Sequence, residues 1–453
     1  MFRTPTALGI CIVAVSGAGC GGSDAAPAPA TLAQPTQAQL ETAGLGKLKL
    51  AQQSDRVDVD APTFSDPTDV TNPLFPISDL QSVVFSGRVE GRRFHTETTL
   101  LPETRFVEWA PGQQVETLVS QYLAYIDGRI TEAAIDRYAQ ADDGSVWYFG
   151  EDVYDYRDGQ VITTEGTWLA GRDGPPSMIM PGDPQVGQVA RAENIPGIAF
   201  EEVAVKKTGK TVDGPTGPVQ SAMVGAETHD DGAVSDKIFA PGYGEFFTRD
   251  RGEVEALALA VPTDAADAPP PPELESLSAA AGKSFNAIRS GDWNAAASDR
   301  RAAARAWDSY PAHEAPRRLG LEMGRALEAL AAAIDARDEA RAGTASIDVA
   351  QSSLDLMLRY RPPAEIDLAR FELWARQILV DSAAGDLGGV TGDVATMEWI
   401  RDRFAASLDG VDRTRVDTQL LALSESVTDK DLAAARAEAS DLRDTLAGIQ
   451  PGG

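Results

Sequence analysis

The 453-residue chain has little cysteine, little histidine and a deficit of positive charge: two Cys, three His, and 40 Lys+Arg against 69 Asp+Glu. Each shortage excludes something. Two cysteines cannot build a disulfide framework or a four-cysteine zinc site. Three histidines cannot supply two independent histidine-rich metal centres. A net charge of −29 repels nucleic-acid phosphates and anionic membrane surfaces alike. No apolar run approaches the roughly 20 residues that span a bilayer. What remains is 43% hydrophobic residues, enough to bury real cores. At about 100–200 residues per domain, the length predicts two or three domains.

The amino terminus reads as an address. Arg3 precedes a short apolar run from Ala7 to Val15, the pattern of a secretory signal peptide over residues 1–19. Gly17-Ala18-Gly19-Cys20 follows and resembles a bacterial lipobox, with Gly17 where that pattern favours leucine. The resemblance implies diacylglycerol on the Cys20 sulfur, and so an exported protein held to a membrane by lipid alone. Cys11 leaves with the signal, so the folded regions carry no thiol. Residues 20–60, rich in Gly, Ala and Pro at their start, read as a disordered tether of roughly 35 Å root-mean-square reach.

Composition changes near residue 262. Residues 61–262 are rich in Thr, Val, Tyr, Phe, Gly and Asp, and Asp-Gly, a strong hairpin signal, recurs six times, at 127, 143, 158, 173, 213 and 231. The first four fall 16, 15 and 15 residues apart, which predicts an antiparallel meander. Expected strands include 82–88, 94–101, 105–109 and 161–169. About ten strands would leave exposed edges unless the sheet curves or partly closes into a barrel. Residues 263–272, ending in Pro269-Pro270-Pro271-Pro272, read as a semi-rigid linker. Residues 273–450 are Ala- and Leu-rich with three- and four-residue apolar spacing, as in Leu319, Met323, Leu327, Leu330 and Ile334. Breaks at Gly291, Pro311, Pro362-Pro363, Gly388-Gly389 and Gly410 leave about eight helices. Asp292 is placed to cap one, and Thr428 with Asp431 suggests a capping box for the last. Ser290-Gly291-Asp292-Trp293 and Ala384-Gly385-Asp386-Leu387, each followed by a tryptophan, suggest two related four-helix units.

The β region resembles a β-rich domain of bacterial secreted proteins and lipoproteins. The residues that carry the resemblance are Tyr138-Ala139-Gln140 through Val146-Trp147-Tyr148-Phe149-Gly150-Glu151-Asp152, Glu165-Gly166-Thr167-Trp168, Met180-Pro181, and Ala240-Pro241-Gly242-Tyr243-Gly244. It implies architecture and address, and no activity.

Catalytic signatures fail. Ala281-Gly282-Lys283-Ser284 imitates the end of a phosphate-binding loop, but Leu277 stands where a glycine is required. His313-Glu314 lacks a second histidine four residues away, and no Gly-x-Ser-x-Gly elbow occurs. His95 and His229 read as ordinary solvated residues. Trp293, Trp307, Trp374 and Trp399 read as interhelical packing. The acidity concentrates in residues 61–270, with 15 basic and 34 acidic groups. Asp142, Asp143, Glu151, Asp152, Asp155 and Asp158 form its densest run and are candidate Ca²⁺ ligands, although their spacing is not that of an EF-hand; a solvated loop face is the alternative. The reading as a whole is a lipid-anchored envelope protein with a non-enzymatic binding or scaffold role toward a protein or small ligand, and no nucleic acid. The competing expectations are a hydrolase using paired carboxylates and a carrier of an apolar ligand in the curved sheet.

Overall fold

The computed structural model describes residues 31–250, 253–311 and 313–449. The signal segment and Cys20 lie outside them. The first region is a 14-stranded antiparallel sheet, curved but not closed. Its strands are β1 Ser82–Val89, β2 Arg92–Ala110, β3 Gln113–Ile126, β4 Arg129–Gln140, β5 Val146–Arg157, β6 Gln160–Thr163, β7 Trp168–Leu169, β8 Ser177–Met180, β9 Val189–Ile195, β10 Ala199–Asp213, β11 Pro218–His229, β12 Val234–Ala240, β13 Gly244–Asp250 and β14 Glu253–Val261. The order is β6-β5-β4-β3-β2-β1-β14-β13-β12-β11-β10-β9, with β7 and β8 also on β5. The chain thus meanders outward from β1 to β6. It then crosses to the far edge and meanders back until β14 pairs with β1.

Turn chemistry sets the registers. Asp127-Gly128 and Asp158-Gly159 take positive φ at both residues (50°, 77° and 50°, 74°), the geometry of a primed hairpin turn. Two expected strand boundaries change. The segments 94–101 and 105–109 are one strand, β2, interrupted by an irregularity between Leu100 and Thr104. The expected strand 161–169 is two short ones, because Gly166 at φ 91° turns the chain between them. Met178 and Met180 are buried in the core at one end of the sheet, with Trp147, Phe149 and Trp168.

The tether expectation fails for residues 31–60. Leu32 and Leu45 are buried, and Val57 N–H donates to the Val189 carbonyl (3.0 Å). Asp58 accepts from Arg191 N–H (3.0 Å) and pairs with Arg56. The segment, including the short helix α1 (Gln37–Thr42), therefore covers edge strand β9, which would otherwise present unpaired backbone.

The second region is helical: α2 Pro272–Arg289, α3 Trp293–Ser309, α4 Arg317–Ala336, α5 Glu339–Met357, α6 Pro363–Ala384, α7 Leu387–Phe404, α8 Gly410–Thr428 and α9 Leu432–Leu446. Aspartates cap corresponding helices in the two halves: Asp292 and Asp386 open α3 and α7, and Asp338 and Asp431 open α5 and α9. Prolines open α2 and α6, and Gly291 and Gly385 follow those helices at φ 74° and 75°. Thr428 is not part of a capping box. It ends α8, its hydroxyl bonded to the Ser424 carbonyl, and Asp431 caps α9 alone.

The proline joint does not hold the two regions apart. Arg359 Nε donates to the Asp264 carbonyl (3.1 Å), and the buried Asp264 carboxylate accepts from Tyr243 Oη (2.8 Å). The convex face of the sheet packs on the helices, and one apolar core runs through Leu123, Tyr125, Ile130 and Ala133 into Phe371, Ile400 and Phe404. Gly388-Gly389 does not break a helix: both residues lie in the first turn of α7. A Cβ on Gly159 would meet Gly392 N at 2.2 Å, and one on Gly388 would meet the Asp158 Cβ at 3.3 Å. These glycines let the β5–β6 hairpin tip reach the helix. Two of the four tryptophans also pack across this interface rather than between helices. Trp374 stacks on Tyr125 (5.5 Å), and Trp399 contacts Tyr154 and donates its indole N–H to Tyr156 Oη (2.9 Å).

Candidate functional site: an acidic concave face

Side chains alternate across a strand, so bulges decide which residues face inward. On β4, Glu132, Asp136 and Tyr138 face the concave side, where they line a cavity of about 410 Å³. On β5, Tyr148 does so too. Gly150, at φ 128° in an irregular register opposite β4, then shifts the alternation so that Glu151, Val153 and Asp155 follow it inward. Glu193 on β9, Glu201 on β10, Glu227 on β11, Glu245 on β13 and Glu165 in a loop complete nine carboxylates around the cavity. Lys237 on β12 is the one basic side chain among the residues lining it.

Three pairs of these carboxylates are directly opposed on neighbouring strands: Glu132 with Asp155, Asp136 with Glu151, and Glu193 with Glu201. Like charges so placed are destabilising unless protons or cations intervene. Burial, reinforced by Asp155 and Glu151, pushes Glu132 up to about 7. Burial and Glu245 push Glu255, beside the cavity and bonded to Thr96, up to about 7. Asp136 is raised by burial and by Glu151, although Tyr148 Oη (2.7 Å) and Ser120 Oγ (3.3 Å) donate to it. Lys237 lies 3.1 Å from Glu245 and 3.3 Å from Glu227, and His229 Nδ1 lies 3.0 Å from Glu201. The partners divide Glu201 from Glu227. Burial alone would raise Glu201, but His229 and Lys237 hold it low; burial outweighs Lys237 and raises Glu227. A second cavity of about 180 Å³ adjoins the first and shares Tyr122, Asp136, Tyr138 and Glu245 with it. Its other walls include Phe75, Leu80, Val83, Phe85 and Leu100.

The convex face also buries charge, but with counterions. Glu97 on β2 is held between Arg403 and Arg370. Arg370 also reaches Asp355 (2.6 Å) and Asp367 (3.0 Å), and Arg403 Nε donates to Gln121 (2.6 Å). Burial would raise the Glu97 carboxyl; Arg370, His95 and Arg403 together hold it far below its ordinary range. Arg129 pairs with Asp381, Asp386 and Asp393 from the helices.

The six candidate Ca²⁺ ligands are not brought together. Glu151 and Asp155 enter the concave cavity. Asp152 points the other way and pairs with Arg137. Asp142 accepts from Ser65 N–H (2.7 Å) and Asp143 from Ser145 N–H (2.9 Å) in exposed turns. Asp158 sits at the hairpin tip on α7. All the converging carboxylates but Glu165 lie within strands, on one face of each, so the signal was strand parity rather than density along the chain. Neither His95 nor His229 is simply solvated: each lies 3.4 Å or less from a glutamate. No protein-family model matches the chain, and no match is found among curated proteins.

Proposed function

We propose that this is an envelope binding protein, lipid-anchored through Cys20, whose concave face takes an organic cation. The carrying observation is nine carboxylates, three pairs of them opposed, around one cavity with a single lysine. A calcium ion gathers six to eight oxygens within about 2.6 Å. These carboxylates are instead spread over six strands and a loop, which suits an extended amine. The adjoining cavity, lined by Phe75, Leu80, Val83, Phe85 and Leu100 as well as by Asp136, Glu245 and Glu255, favours a ligand with an apolar arm beside its charge. Since residues 31–60 lie on the β region, about ten residues separate Cys20 from the folded chain. Ten residues span at most about 35 Å, so the β region would be held within that distance of the lipid.

Calorimetric titration with spermidine tests the charge requirement. Binding should weaken with added salt and fall at least tenfold in Glu193→Gln. Hexylamine should bind more tightly than propylamine if the adjoining cavity takes the arm. Absence of heat with all three amines would end the reading. Loss of membrane partitioning in Cys20→Ser tests the anchor.

One observation favours a second reading, acid–base hydrolysis. Glu201 and Glu227 have oxygens within 4.8 Å of each other and pKa values pushed in opposite directions. Turnover of a chromogenic glycoside or ester that is lost in both Glu201→Gln and Glu227→Gln would favour it.

A further inference from the structure

On the convex side, a cleft of about 400 Å³ opens between the sheet and the helices. His95 on β2, Glu322 on α4 and Asp355 on α5 converge in it, with one ligand atom of each within 4.8 Å of the others. We propose that these three side chains bind a divalent transition-metal ion of the Zn²⁺ class, which clamps the helical region to the sheet.

The donor set is one imidazole and two carboxylates, which suits such an ion and leaves a position for water. Both hydrogen bonds that Asp355 accepts, from Gln351 Nε2 (2.9 Å) and Arg370 Nη2 (2.6 Å), fall on Oδ1, leaving Oδ2 for an ion. Glu97 stands beside the imidazole, with Oε1 3.4 Å from Nε2. A carboxylate behind a ligating histidine is the usual outer support of a metal site. Glu97, Asp355 and Asp367 are paired with Arg370 and Arg403, while Arg93 is engaged by Asp348 (3.0 Å). An independent sign comes from Tyr125, which lines the same cleft and is 3% exposed. Its hydroxyl has no hydrogen-bond partner among the described residues. A buried hydroxyl of this kind calls for an ordered water or ion, and a metal-bound water would serve.

The test is calorimetry of Zn²⁺ binding to the EDTA-stripped full chain, beside melting curves with and without Zn²⁺. One tight site and a higher melting temperature with Zn²⁺ are expected. Affinity should fall at least tenfold in His95→Gln and in Glu322→Gln. It should be unchanged in Glu227→Gln, which alters the other histidine–carboxylate cluster, on the concave face. Melting of the metal-free variants checks that they fold; Glu322→Gln, at a partly exposed helix position, decides the matter if His95→Gln does not. No Zn²⁺ binding, equal binding in the wild type and Glu322→Gln, or loss of binding in Glu227→Gln would each overturn the assignment.

Discussion

On the convex face of the sheet, Glu97 is enclosed by Arg370 and Arg403 and stays ionised far below the ordinary carboxylate range. On the concave face, Glu132 and Glu255 are pushed up to about 7, because burial and neighbouring carboxylates act together and no guanidinium opposes them. The same residue type, on two sides of one sheet, is driven in opposite directions by its counterions. The convex face is a solved electrostatic problem that fastens two regions together. On the concave face Lys237 and His229 answer only part of the carboxylate charge; the rest is left to protons or to a cation from outside, which supports the proposed binding role.

The largest expected effect breaks the convex side. Arg403→Ala leaves Glu97 buried beside a single guanidinium and should cost about 3–5 kcal/mol in urea unfolding. Adding Glu97→Gln should restore part of the loss; no restoration would mean that packing, not charge, holds the interface.

The pH dependence sharpens the contrast. A carboxyl raised in the folded state destabilises the fold above its folded pKa, and the penalty disappears as pH falls toward its unfolded value. The concave face therefore predicts greater stability as pH falls through 7. Glu97 behaves oppositely, and its contribution is lost only when pH falls below the unfolded value of about 4.3. Thermal melts should rise by several degrees from pH 8.5 to pH 5.5 and fall again in stronger acid. A flat profile between 8.5 and 5.5 would remove the distinction between the faces.

Smaller still, Glu132→Gln relieves the opposition to Asp155. It should stabilise the chain by up to about 1 kcal/mol at pH 8 and by much less at pH 5. The smallest effect is the control: Arg92 and Asp127 form an exposed pair at 2.8 Å, and Arg92→Gln should change stability by less than about 1 kcal/mol.

Much of this architecture was legible in the chain. The Asp-Gly spacing announced the meander, and Asp292 marked a helix start that the structure keeps. The site was legible only in part. Acidic density pointed to the β region, but it singled out turns such as Asp142-Asp143, whose carboxylates accept from the backbone N–H groups of Ser65 and Ser145. The converging carboxylates, Glu165 apart, lie in strands, and their shared face emerges only after the Gly150 irregularity has shifted the alternation. Contacts between regions were hidden for a similar reason. Gly388-Gly389 reads as a helix break until the hairpin tip that Gly388 and Gly392 admit is known. Leu32 and Leu45 look like a sparse tether until β9 needs cover.

The most direct test is spermidine calorimetry at pH 7 in two buffers of different ionisation enthalpy. Carboxyls held near 7 on the concave face must lose protons when a cation binds, so the observed heat should differ between the buffers by an amount reporting net proton release. Binding with no buffer dependence, or no binding, would contradict the claim that this face is an unneutralised acidic site awaiting a cation.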